Sequence, residues 1–136
     1  MRDEQTLTPR RTTLEQTLAA ARSRIRRLEP AEAYLAQARG TLIIDARCAD
    51  ARQRLGSIPG AATIPLSVLP WRLDPDSPYR DPEVAHLDRP VVLVCSDGFS
   101  SSLAAAQLVD LGFEDVGDVI GGFTAWSAAG LPVEGV

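Results

Sequence analysis

Cys95 is the side chain best placed to do chemistry in this chain. It directly follows Val91-Val92-Leu93-Val94, an unbroken apolar run of the kind that forms a strand buried on both faces of a parallel sheet. Ser96, Asp97, Gly98, Phe99, Ser100, Ser101 and Ser102 come next, and Leu103–Leu111 then reads as a helix stopped at Gly112. A thiol between a strand end and a helix start faces backbone N–H groups without helical partners, at the positive end of the helix dipole. Both features favour a sulfur anion, so this spacing points to a nucleophilic thiolate. Gly98 can take positive φ, letting successive N–H groups curl inward as a nest around one anionic atom. Asp97 opposes the anion, but a carboxylate turned to water weighs less than the nest. The plain alternative is an ordinary buried cysteine, and the position of Cys95 favours the reactive reading.

The elements that must hold this loop can be read in order. Met1–Thr12 is polar. Leu14, Leu18, Ala21, Ile25 and Leu28 fall on one face of a helix, with Arg22, Arg24, Arg26 and Arg27 mostly elsewhere around it. That helix either docks on an acidic partner or a second copy of the chain, or packs on its own domain with a solvated arginine face; the second reading is preferred. Glu29-Pro30 opens another helix, continued by Ala31–Arg39 and ended by Gly40. Leu42-Ile43-Ile44 is a short buried strand closed by Asp45-Ala46-Arg47. Cys48–Leu55 is a loop or short helix, Ser57–Ala61 a turn, and Ala62-Thr63-Ile64 a strand stopped by Pro65. Leu66–Leu73 reads as a helical turn, Asp74–Pro90 as a surface loop, Val116–Ile120 as a strand and Phe123–Ala129 as a last helix. Strands alternating with helices predict an α/β fold with an open, mainly parallel sheet. Residues 1–28 form an N-terminal polar segment and basic amphipathic helix, and residues 29–136 the α/β domain.

Composition bounds the function. A chain of 136 residues is long enough for one domain with a real core. Its 14 basic residues are all arginine, and its net charge of −4 argues against nucleic acid as a partner. The charge is uneven. Residues 1–56 hold 11 arginines against 7 acids, whereas residues 57–136 hold 3 against 11. No apolar leader or membrane-length run is visible, so a soluble cytoplasmic protein with no membrane partner is expected. Two cysteines and one histidine, widely spaced, give neither a disulfide scaffold nor a zinc pattern, and no metal or cofactor is expected. His86 reads as solvated, Trp71 and Trp126 as core residues, and Asp45 as structural.

Four stretches in sequence resemble the rhodanese-like sulfurtransferase domain. They are Ile44–Arg47, Gly56–Pro65, Cys95-x-x-Gly98-x-x-Ser101, and Gly121-Gly122-Phe123-x-x-Trp126 running on to Gly130-Leu131-Pro132-Val133. Together they cover about residues 28–134, all but the N-terminal helix. The resemblance implies a five-stranded parallel sheet flanked by helices on both faces. It also implies that Cys95 takes up sulfane sulfur as a persulfide, cradled by the backbone N–H groups of residues 97 to 101. A small sulfur donor or a protein persulfide would supply the sulfur, and a thiol or cyanide would accept it. The loop departs from the family's common form, because Ser96 and Ser100 stand where many members carry Arg or Lys. With Asp97 and no cation, it should bind the thiosulfate dianion poorly unless another basic group reaches in. Arg47 and Arg72 are the candidates, although Arg47 can equally pair with Asp45 and Arg72 can be a surface arginine.

The remaining loop residues have competing roles. Phe99 can gate the site, touch a partner or tuck against the domain, and Ser100, Ser101 and Ser102 are read as helix caps. Cys48 is a candidate redox partner of Cys95, or simply a small buried residue. The leading function is a single-domain sulfurtransferase. The alternative is a non-catalytic binding or regulatory module with its N-terminal helix as contact surface, for example in a homodimer. Cysteine phosphatase chemistry is disfavoured, because no arginine ends the loop to clamp an oxyanion.

Overall fold

The computed structural model describes residues 11–135. After α1 (Leu14–Arg22) the chain runs β1 (Arg26–Leu28), α2 (Pro30–Ala38), β2 (Leu42–Asp45), α3 (Ala49–Leu55) and β3 (Ala62–Thr63). A short 3₁₀ turn at Leu66–Val68 leads into α4 (Leu69–Leu73), and then come β4 (Val91–Val94), α5 (Ser100–Asp110), β5 (Val116–Val119) and α6 (Gly122–Ala128). The five strands form one sheet in the order β1-β5-β4-β2-β3. Every pairing is parallel, so the predicted open α/β sheet is present.

Side-chain alternation along the central strands builds two cores. Leu42, Ile44, Val91, Leu93 and Val116 face one side, where they meet Leu69, Leu73, Ala105 and Leu108 of α4 and α5. Ile43, Val92, Val94 and Val119 face the other, against Ala33 of α2 and Phe123 and Trp126 of α6. Each strand residue from Val91 to Val94 is wholly buried, which fixes the end of β4 and the loop that follows. Trp126 also donates from Nε1 to the Pro132 carbonyl at 2.8 Å. Trp71, expected in the core, is exposed instead; Leu69 and Leu73 fill the buried positions of its short helix.

The N-terminal segment differs from the sequence expectation. The spacing of Leu14 to Leu28 predicts one continuous helix, yet α1 ends at Arg22 and Arg26–Leu28 is an edge strand beside β5. A reciprocal cap starts α1: Thr13 accepts from the Gln16 N–H and Gln16 accepts from the Thr13 N–H. Apolar residues three and four apart also fit a helix, a turn and a strand in succession, and tertiary pairing decides between the two. Gly117 makes that pairing possible, because a Cβ there would stand 2.6 Å from the Arg26 carbonyl oxygen. The arginines are then taken up by the acidic half of the chain: Arg24 pairs with Asp110 on α5, Arg26 with Asp115 and Arg27 with Asp118 on β5.

Candidate active site

Cys95 stands where the sequence places it, at the carboxyl end of β4 and ahead of α5. Its Sγ accepts hydrogen bonds from the backbone N–H groups of Gly98 at 3.2 Å and Ser101 at 3.3 Å. The thiol in turn donates to Ser101 Oγ at 3.2 Å. Gly98 has φ of +84°, and a Cβ there would lie 2.7 Å from the Gly121 nitrogen, so only glycine lets the loop turn this tightly under α6. On the other flank α6 begins against the loop, with Phe123 N–H donating to the Cys95 carbonyl at 2.8 Å and Thr124 N–H to that of Ser96 at 3.1 Å. Main-chain groups thus hold the sulfur from the α5 side and the backbone of Cys95 and Ser96 from the α6 side.

Cys95 lies at the floor of a cleft of about 260 Å³. Its walls are Ala46, Arg47 and Cys48 after β2, Leu66, and loop residues Ser96, Asp97, Phe99 and Ser100. Among the described residues a larger hollow of about 700 Å³ lies between α1 and α5 and shares Leu66 and Ser100 with the lining of the Cys95 cleft. No group of three or more His, Cys, Asp or Glu side chains suited to a metal occurs among the described residues.

Behind the sulfur lies a buried charge that sequence reasoning missed. Asp118 is fully buried on β5, on the face shared with Val116 and turned toward α5. Its Oδ2 accepts from Ser101 Oγ at 2.8 Å and Ser102 Oγ at 2.7 Å. Its Oδ1 accepts from Arg27 Nε at 3.0 Å. Ser101 and Ser102 therefore do not cap the helix: Phe99 holds the N-cap position without a side-chain bond. A hydroxyl has one proton, so Ser101 gives it to Asp118 and presents lone pairs to the thiol. Arg22 and Arg27 complete this cluster, both donating to the Gly98 carbonyl, at 2.7 Å and 3.1 Å.

The other predicted residues divide clearly. Arg47 reaches the cleft wall with most of its guanidinium engaged: it donates from Nε and Nη2 to Asp45 at 3.0 and 2.8 Å, and from Nη2 to the Gly56 carbonyl at 2.7 Å, while its buried Nη1 has no hydrogen-bond partner among the described residues. Its guanidinium carbon also lies 3.7 Å from the centre of the Phe123 ring. Arg72 is not brought to the cleft; it donates to the Tyr79 carbonyl at 3.2 Å, in a separate hollow with Trp71. Cys48 is exposed, occupies the N-cap position of α3 without a side-chain bond and lines the same cleft as Cys95. Asp97 faces water and accepts from Thr124 Oγ1 at 3.0 Å, so it turns away from the sulfur. Phe99 is exposed, with the Arg22 guanidinium 5.6 Å from its ring centre, and His86 is exposed and contacts the Pro82 carbonyl. The readable signal for Asp118 was an acid inside a strand of Val116-Gly117-Asp118-Val119, since a charge in a buried strand must have partners.

Comparison with known proteins places this geometry. The model of the rhodanese-like domain matches residues 29–129. The chain is 52% identical over 52 residues to thiosulfate sulfurtransferase GlpE of Vibrio cholerae, a match spanning about half of that relative (49%). With the GlpE of Pseudomonas savastanoi it shares 39% identity over 103 residues, 76% of this chain and 88% of the relative. A solved structure from Rhodopseudomonas palustris, of a protein of unknown function named a possible tyrosine phosphatase, superposes with a TM-score of 0.84. It is 34% identical, over 93% of this chain and 99% of the other.

Proposed function

We propose that this chain, which belongs to the rhodanese-like domain family, is a sulfurtransferase that carries sulfane sulfur on Cys95. In the first half-reaction the Cys95 thiolate attacks the outer sulfur of a donor. A sulfur–sulfur bond forms to Cys95, the donor's own sulfur–sulfur bond breaks, and its electron pair leaves with the remainder, sulfite in the case of thiosulfate. In the second, cyanide or a thiolate attacks the terminal sulfur of the persulfide, and the Cys95 thiolate leaves. A cysteine thiolate suits both halves, because it is nucleophile in one and leaving group in the other.

The observation that carries this reading is the pair of N–H groups from Gly98 and Ser101 aimed at Sγ on the floor of an open cleft. The start of α5 adds its dipole to the same point. A low-molecular-weight persulfide or a protein persulfide fits the cleft better than thiosulfate, because Arg47 is committed to Asp45 and Asp97 adds negative charge at the mouth. Mass spectrometry after exposure to a donor panel tests the assignment. The wild type should gain one sulfur atom and lose it to cyanide, and Cys95→Ser should do neither. A Cys95→Ser variant that still forms thiocyanate, or a wild type that gains no sulfur from any donor class, overturns it.

The name of the Rhodopseudomonas palustris neighbour raises a phosphatase reading. That chemistry needs a guanidinium at the mouth to clamp the oxyanion. Arg22 and Arg27 instead grip the outside of the loop at the Gly98 carbonyl, which favours sulfur transfer. Turnover of an aryl phosphate by the purified chain would reverse this preference.

A further inference from the structure

We propose that Arg22 and Arg27, from the segment ahead of the family match, are positioning residues that act on the active-site loop through the Gly98–Phe99 peptide. Arg22 donates from Nη2 to the Gly98 carbonyl at 2.7 Å and from Nε to Ser102 Oγ at 3.0 Å. Arg27 reaches the same carbonyl at 3.1 Å while holding Asp118. Ser102 Oγ links the two arginines, accepting from Arg22 and donating to Asp118 at 2.7 Å. Two guanidinium groups thus share one backbone oxygen of a loop that has no cation of its own.

The consequence follows from peptide geometry. The bond is trans, so the Phe99 N–H points opposite to the Gly98 carbonyl, away from both arginines. Positive charge on the carbonyl oxygen polarises the peptide and strengthens its N–H as a donor. Phe99 lines the cleft with Cys95, so this amide serves the terminal sulfur of a persulfide, one bond further out than the Sγ held by Gly98 and Ser101. The arginines stabilise the bound anion from behind without presenting charge to an approaching donor. The segment that precedes the family match becomes part of the transfer machinery.

The inference rests on the sulfurtransferase reading, and the test separates the two. Sulfur loading is followed in single turnovers on the full chain with thiosulfate and with glutathione persulfide as donors. Arg22→Gln should lower the limiting loading rate about tenfold, the loss of one charge-assisted hydrogen bond, with little change in the donor concentration at half-maximum. The loss should be equal for both donors, because the charge acts on the bound sulfur and not on the incoming anion. Arg22→Lys should recover most of the rate, as should guanidinium ion added at millimolar concentration to Arg22→Ala. Arg24→Gln removes the same charge from α1 but pairs with Asp110, and should load like the wild type.

Wild-type loading in Arg22→Gln overturns the inference and leaves the sulfurtransferase reading standing. So does a loss matched by Arg24→Gln, or one that scales with the thermal midpoint. A wild type that loads no sulfur sinks both. Arg27→Lys is the second variant, since it keeps a cation beside Asp118; it should load more slowly than wild type while unfolding at a similar temperature.

Discussion

The ion pair of Arg27 and Asp118 offers the sharpest test of how this site is held. Asp118 is wholly buried and takes four donors: Ser101 Oγ, Ser102 Oγ, and Arg27 through Nε and Nη2. In Arg27→Met the two hydroxyls remain, but the buried carboxyl group loses the cation beside it. Breaking one side of a buried pair costs about 3–5 kcal/mol. The Arg27 side chain is 22% exposed, so water softens the loss and about 3 kcal/mol is expected. Asp118→Asn removes the buried charge and retains one oxygen for the serines, so its cost should be about 2 kcal/mol. The double variant carries neither charge and should also cost about 2 kcal/mol, well short of the summed singles. Urea unfolding of the four proteins measures this coupling, and Arg27→Met should melt about 10 °C below the wild type. Additive single effects, or an Arg27→Met loss below about 1 kcal/mol, would show that the pair does not hold the site.

Three further outcomes follow from the same geometry. In Gly122→Ala the new Cβ would stand 2.4 Å from the Cys95 carbonyl oxygen at a φ of +61°; strain of about 1–2 kcal/mol plus a displaced carbonyl should lower the melting temperature and abolish cyanolysis, and wild-type cyanolysis would count against the α6 contact as a support of Cys95. Asp97→Asn removes an exposed anion from the cleft wall and should lower the half-saturating thiosulfate concentration by about two- to fivefold at low salt, an advantage that shrinks in high salt. The hydrogen bond from Arg24 holds the Asp110 carboxyl below its ordinary range, so its contribution is present at neutral pH and is lost as pH falls through the folded value. Asp110→Asn should therefore lose slightly less stability than the wild type on acidification below about pH 4, measured by urea titration at several pH values.

The sheet and the Cys95 loop were legible because they rest on local rules. Four apolar residues in a row, a thiol, a glycine and a helix pattern fix strand, turn and helix with little help from elsewhere. The supports of the loop were not legible because each comes from a distant part of the chain. Arg22 and Arg27 sit more than 70 positions before Gly98, and no spacing rule connects them. Ser101 and Ser102 look like helix caps in sequence, since serine near a helix start usually is one. In the fold their hydroxyls face β5, where an unforeseen carboxylate accepts a hydrogen bond from each. The strand β1 hid inside a helical pattern for a related reason: its pairing depends on Gly117, far along the chain.

The uneven charge along the chain has a mechanical meaning in the fold. Arginines of the first segment pair with acids at Asp110, Asp115 and Asp118, which fastens α1 and β1 against α5 and β5 and brings Arg22 to the back of the loop. A cation within the loop would both attract an anionic donor and stabilise the bound sulfur. In the proposed mechanism the second task falls to amides and to guanidinium groups behind them, while the charged side chains of the cleft wall are Asp97 and Arg47, the latter paired with Asp45, among the described residues. Sulfur loading from a weakly charged donor should then hold nearly constant between low and physiological salt, because no exposed cation steers the encounter. A loading rate that falls steeply with salt would reveal a free positive charge at the mouth and refute this division of labour.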